Sequence, residues 1–314
     1  MNFTMKQLRY AVAAAQYGSV TGAALALHVS QPSISLAVAK IEREVGITLF
    51  IRHRGSGTTT TPAGQRFVAR SRALLSEFAE LAAFEAPHGP VTGQLVLDCF
   101  EDLAPFCAPA IIARVRRLHP GMEVAVQEFD LETVGKRLKS GASDLAITYE
   151  LGVPKGLVTE TLHSVVPHAL LAADDPLARR KLLDLRTLCK APLVFTRELL
   201  SLQHFFELLR SHGATPIKTL EAGSFEMQRS MVANGLGRAI AYTQSYSDVT
   251  YDGKRVVRRS LRERLAPHPI LLAYAHELRG SRAIDAFARE ARSYFRELAS
   301  TATGVSRHRE DGRT

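Results

Sequence analysis

The chain has 314 residues, an apolar share of 46% and a formal net charge of +9. That length and apolar fraction suffice for two or three globular domains, and no apolar run approaches the roughly 20 residues needed to cross a bilayer, so a soluble, cytoplasmic protein is expected. The positive balance suits a polyanionic partner; three cysteines without CxxC spacing and histidines without metal-ligand spacing argue against a disulfide framework, a zinc site or any other metal.

Lys6 to Tyr17 carries Leu8, Tyr10, Val12, Ala13, Ala14 and Ala15 at spacings that give a helix a small apolar face, and Gly18 stops it. Val20 to His28 reads as a second short helix, in which Ala23, Ala24 and Leu27 let another helix pack closely while Gly22 costs about 1 kcal/mol relative to Ala. A third helix opens at Ser30-Gln31-Pro32. The Ser30 hydroxyl is expected to cap its free amides, and Pro32 falls in the first turn, where no N–H is needed.

Within that third helix Ile34, Val38, Ile41 and Val45 form one buried stripe. Gln31, Ser33, Ser35 and Lys40 lie off it, and the first three sit at the end that meets base edges in a helix-turn-helix. Gln pairs bidentately with adenine, Ser donates or accepts, and Lys adds charge for phosphate. A capped, solvated surface helix would look the same in isolation. The preceding helix and the basic ribbon Arg52-His53-Arg54-Gly55-Ser56-Gly57, a wing able to hold phosphates, favour DNA instead. Residues 1–60 hold six Lys and Arg side chains against two Glu.

Thr61-Pro62 caps a further helix, in which Phe67, Ser71, Leu74, Phe78 and Leu81 recur every three or four residues; such a seam wants a partner helix, within the subunit or from a second copy. Ala86-Pro87-His88-Gly89-Pro90 ends it and marks a domain boundary. Strand and helix patterns then alternate: Leu95–Phe100, Pro105–His119, Met122–Phe129, Glu132–Ser140, Asp144–Tyr149, and again from Pro192–Thr196 to Pro269–Ala275. This rhythm predicts parallel α/β sheets in two lobes. Ligands of such folds sit beyond the carboxyl ends of strands, which singles out Phe100, Glu101, Asp102, Thr148, Tyr149, Phe195, Thr196, Ser224, Phe225 and Tyr242. Asp102 reads equally well as the N-cap of a helix beginning at Leu103, and the aromatics as core.

The run Ala23-Ala24-x-x-Leu27-x-x-Ser30-Gln31-Pro32-Ser33-Ile34-Ser35, with Ile41-Glu42, Val45-Gly46, Leu49-Phe50, Arg52, Arg54 and Thr61-x-Ala63-Gly64, closely resembles the LysR-type transcriptional regulators. Weaker likeness continues from Gly93 to about Ala275. The resemblance implies an α + α/β architecture: an N-terminal winged helix-turn-helix (1–60), a long linker and dimerisation helix (61–86), and a two-lobed α/β periplasmic-binding-protein-like (type 2) effector domain (91–300). Lobe I would comprise 91–163 and 268–300, lobe II 164–267, and 301–314 a disordered tail.

The resemblance further implies double-stranded DNA with paired half-sites as partner, contacted by Gln31, Pro32, Ser33, Ser35, Leu36, Lys40, Arg52 and Arg54. It implies a homodimer joined through Phe67, Leu74, Phe78 and Leu81, a homotetramer built from it, RNA polymerase as a second partner, and a small-molecule effector in place of a cofactor. Leu36 departs from the Arg common in the family at that position, so apolar contact with a thymine methyl would replace charged readout. Tyr242 departs from the Pro common after Gly235-Leu236-Gly237. Asp102 stands where many relatives carry Ser or Thr, and its charge with that of Glu101 would repel a carboxylate, which predicts a neutral, amine-bearing or zwitterionic effector. A redox-responsive regulator using a cysteine is one alternative, and a solute-binding protein without regulatory role another. The adjacent Glu101 and Asp102 do not face one another as an acid/base pair must, and no GxSxG, metal triad or Walker loop occurs, so no enzyme is expected.

Overall fold

The computed structural model describes residues 2–53, 57–82 and 91–308, with the side chains of residues 76, 79–82 and 301–308 excepted. Helix α1 (Met5–Gln16) opens on a reciprocal capping box: the Thr4 hydroxyl accepts the Gln7 amide and the Gln7 side chain accepts the Thr4 amide. Ser19 caps α2 (Val20–Ala26) through the Gly22 amide. The turn that follows passes through His28 at φ 52°, a left-handed conformation that costs an L-residue about 1–2 kcal/mol. Helix α3 (Gln31–Val45) then begins with Ser30 at its N-cap, but the expected cap bond is absent. The Ser30 hydroxyl pairs instead with that of Ser33 at 2.8 Å. Ile34, Ala37, Val38 and Ile41 are buried against α1 and α2, and Gly46 at φ 71° ends the helix.

The motif residues beyond α3 are fastenings. Glu42 accepts the amides of Leu49 and Phe50 at 2.7 and 2.9 Å, which fixes the entry into a hairpin of β1 (Phe50–His53) and β2 (Gly57–Thr60). Thr61 donates to the Thr48 carbonyl at 2.8 Å and accepts the Gly64 amide at 2.9 Å, capping α4 (Pro62–Ala82). A Cβ at Gly64 would stand 2.0 Å from the Leu49 carbonyl oxygen, so only glycine lets α4 dock there.

Lobe I is a five-stranded sheet in the order β4-β3-β5-β13-β6, built from β3 (Thr92–Phe100), β4 (Gly121–Phe129), β5 (Leu145–Tyr149), β6 (Leu157–Val165) and β13 (His268–Ala275). Helices α5 (Ala104–Leu118), α6 (Leu131–Ser140) and α10 (Arg282–His308) pack on it. The sheet is not wholly parallel as the alternation predicted: β13 returns from lobe II and pairs antiparallel with both β5 and β6. Helix α10 also runs eight residues into the stretch expected as a disordered tail, as far as His308, and the rest of that stretch lies outside the described residues.

Lobe II holds a four-stranded sheet in the order β11-β7-β12-β8, made of β7 (His168–Ala172), β8 (Leu182–Leu183), β11 (Ala239–Ala241) and β12 (Val256–Leu261). Beside it β9 (Leu193–Thr196) pairs in parallel with β10 (Thr219–Ala222), together with α7 (Leu185–Leu188), α8 (Leu199–Ser211) and α9 (Phe225–Ala233). The chain crosses between lobes at Val166–Pro167 and again between Leu261 and His268. The boundary run Ala86–Pro90 lies outside the described residues.

Buried charge joins the N-terminal domain to lobe I. Arg72 on α4 donates to Asp144 at 2.6 Å, and the other oxygen of Asp144 accepts the Val96 amide at 2.7 Å. Arg137 on α6 pairs with the fully buried Asp98 at 2.7 Å and reaches the Gln16 carbonyl, at the end of α1, at 3.4 Å. The close approach at Gly64 gives a direct test of how α4 seats: Gly64→Ala should destabilise the N-terminal domain by about 1–3 kcal/mol, read by chemical denaturation, because backbone must shift to admit the methyl. An unchanged transition would show that α4 does not dock on Leu49.

Candidate functional site

Two surfaces carry chemistry. On α3 the side chains of Gln31, Pro32 and Leu36 are exposed, Leu36 by 70%, while Ser33, Ser35 and Lys40 are half-buried along the same helix. A leucine left in water at the start of α3 has no packing role within its own domain. Arg52 is exposed on β1, opposite Thr58. Arg54 lies outside the described residues.

The apolar seam of α4 divides. Phe67 is half-buried and meets Phe3 edge to face at 6.3 Å, so it belongs to the N-terminal domain's own core and not to a free seam; Ser71 is buried and donates to the Phe67 carbonyl. Leu74 and Phe78, one turn apart, remain 44% exposed each. The side chain of Leu81 is outside the described residues.

The second surface is the cleft between the lobes. Of the sequence-predicted residues, Phe100, Asp102, Tyr149, Thr196, Phe225 and Tyr242 line it. Four do not. Glu101 points to solvent, Thr148 and Phe195 are sealed in the two lobes' sheets, and Ser224 spends its hydroxyl capping α9 through the Met227 amide. Asp102 is not a helix cap either: α5 starts at Ala104 with Leu103 in the cap position, and Asp102 sits in the turn before it. Its carboxylate lies near enough to the amide of Phe225, the first residue of α9, to be stabilised by it, so lobe I faces a helix N-terminus of lobe II across the cleft.

Sequence reasoning missed His204, Phe205 and His268. With Tyr149 and Tyr242 they form a ring cluster with centroids 4.9–6.2 Å apart. His204 Nε2 hydrogen-bonds the Tyr242 hydroxyl at 2.9 Å, and the Tyr149 hydroxyl meets Thr243 at 3.1 Å. His268 is the first residue of β13, where the second crossover ends, and no local pattern flags it. The cavity left between these groups measures about 30 Å³, room for one water, so the cleft is shut on its own aromatic side chains.

No lysine or arginine lines this cleft, and its electrostatics are acidic. Burial, then the neighbouring Glu101 and Glu198 carboxylates, push Asp102 up to about 7 against the single opposing pull of the Phe225 amide. Burial lowers His268 to about 4, with His204 adding to the effect, and lowers His204 as well, so both imidazoles are neutral at physiological pH. Burial also pushes Tyr242 up to about 12. Among the described residues no group of three or more His, Cys, Asp or Glu is placed to hold a metal ion.

The three cysteines are all buried. Although the sequence holds no CxxC, Cys99 at the end of β3 and Cys107 on α5 lie near enough to influence one another's charge, a proximity that spacing alone did not reveal. Burial raises the Cys99 thiol well above its usual range, and Cys107 donates to the Leu103 carbonyl at 3.3 Å. Peroxide attack needs an accessible thiolate, which this core suppresses.

Residues 5–65 match the bacterial regulatory helix-turn-helix family of lysR type, and residues 88–296 match the LysR substrate binding domain. The chain belongs to the LysR family of transcriptional regulators. It is 30% identical over 241 residues to the HTH-type transcriptional regulator CfxR of Cupriavidus necator, covering 74% of each chain. The crystal structure of HinK, a LysR family regulator from Pseudomonas aeruginosa, is similar at a TM-score of 0.62 and 32% identity, covering 94% of this chain and 99% of that one. A full-length OxyR variant from Pseudomonas aeruginosa is similar at a TM-score of 0.71 and 25% identity, covering 93% and 98%. As in the family, a DNA-binding domain is joined to a domain that binds a small effector, and the protein is a regulator rather than an enzyme.

Asp102 makes stability depend on pH in a definite sense. Its folded carboxyl holds a proton more tightly than the unfolded one, so its contribution is complete in acid and lost as pH rises through about 7. Asp102→Asn should therefore melt above the parent by several degrees at pH 8, the gap narrowing as pH falls toward the ordinary carboxylate value of 3.8. A melting difference that does not change with pH would show that Asp102 is solvated and not held in the cleft.

Proposed function

We propose that this regulator reads paired half-sites in double-stranded DNA through the first turns of α3, and that an effector in the interlobe cleft alters how its copies sit on that DNA. The exposed polar start of α3, Gln31 to Leu36, carries the reading: its opposite face is buried against α1 and α2, leaving these side chains to the major groove. Gln31, Ser33 and Ser35 supply base-edge donors and acceptors, Leu36 an apolar contact, Pro32 a fixed helix start, and Lys40, Arg52 and Arg54 phosphate contacts.

Leu74 and Phe78 support self-association. Two large apolar side chains one helical turn apart are left uncovered on a helix that directly follows the wing, and two half-sites require two α3 helices. Dimers so joined would pair further through the effector domains into a tetramer, and bent promoter DNA would present RNA polymerase with an altered site. A cytoplasmic location follows from this work on DNA, and among the described residues no single helix is long and apolar enough to cross a membrane. The effector serves in place of any cofactor. Oxidation sensing is the weaker reading, because the one thiol pair is sealed in the core of lobe I.

Gln31→Ala should lose about 1–3 kcal/mol on the cognate operator and much less on random DNA, whereas Arg52→Ala should weaken both and lower the salt slope by about one, measured by anisotropy titration across salt concentrations. Equal losses on both DNAs for Gln31→Ala would reject its base-reading role. The seam is tested separately: replacing Leu74 and Phe78 together with Glu should give monomers in light scattering and lose the avidity of paired sites. An unchanged oligomer would place the interface elsewhere.

A further inference from the structure

The cleft has a chemistry more specific than its place in the fold. Its single charged side chain is a carboxylate, Asp102, and no cation lines it. Around that carboxylate stand the π faces of Tyr149, Tyr242 and Phe205 together with two neutral imidazoles. His268, 92% buried, has its Nε2 without a hydrogen-bond partner. A carboxylate oxygen, an imidazole nitrogen free to accept and several electron-rich ring faces are all acceptors of positive charge; an anion entering here would find neutral hydroxyls such as those of Thr196 and Ser201 and the α9 N-terminus, which Asp102 already faces, but no cation.

Resting on the reading of this cleft as the effector site, we propose that the effector is an organic cation: an amine with an apolar body, its ammonium group held between Asp102 and His268 and its body stacked among Tyr149, Phe205 and Tyr242. The shut cavity, with room for one water, means that the lobes part to admit it and that the ligand takes over the ring contacts the cluster now makes with itself. Closing on a cation then discharges two costs of the empty cleft. It pairs the Asp102 carboxylate, which now faces Glu101 and Glu198, and it gives His268 Nε2 a donor.

The test uses the full-length protein and probes matched in body and differing in charge: phenethylamine, 3-phenylpropionate and 2-phenylethanol, with hexylamine, hexanoate and putrescine. Thermal shift followed by calorimetry should show stabilisation by at least one amine and none by the carboxylate or alcohol of the same body. Asp102→Asn should weaken that amine at least about tenfold. The groups facing the ammonium are Asp102, with Glu101 and Glu198 behind it, and His204 and His268, so amine affinity should rise between pH 6 and 8 as Asp102 ionises while the amine stays charged.

A second variant, Ala241→Phe, fills the cleft without touching charge. A carboxylate that stabilises the parent but not Ala241→Phe would overturn the cationic class while leaving the cleft as the effector site. Probe binding of either charge that survives Ala241→Phe unchanged would overturn the cleft reading itself. No response to any of the amines at millimolar concentration would overturn the proposal.

Discussion

The placement of the N-terminal domain against the effector domain depends on charge buried where α4 and α1 meet lobe I. Arg72 on α4 and Asp144 form one ion pair, joined by the Val96 amide of β3, while Arg137 and Asp98, both of lobe I, form a second, joined by the Gln16 carbonyl at the end of α1. Such pairs add little net stability, since desolvation consumes most of the attraction, but removing one partner strands a buried charge and costs about 3–5 kcal/mol. What they supply is register. Arg72 leaves Nε and Nη2 without acceptors, so the junction is not fully compensated, and it joins two domains without fusing them into one core.

That arrangement suits a protein whose two ends must influence one another. Asp98, in the junction, lies two residues before Phe100 and four before Asp102, in the cleft; both ends of that short segment are held by charge. Arg137, which Asp98 holds, also touches the Gln16 carbonyl of the DNA-binding domain. Strand β3 thus runs from the junction to the cleft, and any coupling between the two must be reciprocal.

The residues of the family motif turn out to serve assembly more than recognition. Glu42, Gly46, Thr61 and Gly64 fix how α3 hands over to the wing and the wing to α4, each through backbone amides or a close approach that admits no side chain.

By itself the sequence determined what short-range chemistry encodes. Caps, the apolar stripe of α3, the small-residue face of α2 and the Pro-Gly break after α4 are signals carried within a turn or two of chain, and they located the winged helix-turn-helix and the alternation of strand and helix. The cleft was half legible, because strand ends such as Phe100–Asp102 and Thr196 can be read from alternation, but His204 on a helix and His268 at a crossover carry no such mark. Only the tertiary structure could bring positions 149, 204, 242 and 268 together, reverse β13 against β5, set Cys99 beside Cys107, and give Phe67 to the domain core while leaving Leu74 and Phe78 in water. Each of these is a contact between residues whose sequence separation or helix phase is decided by packing of the whole, and periodicity, which records only which face is apolar, says nothing of what covers it.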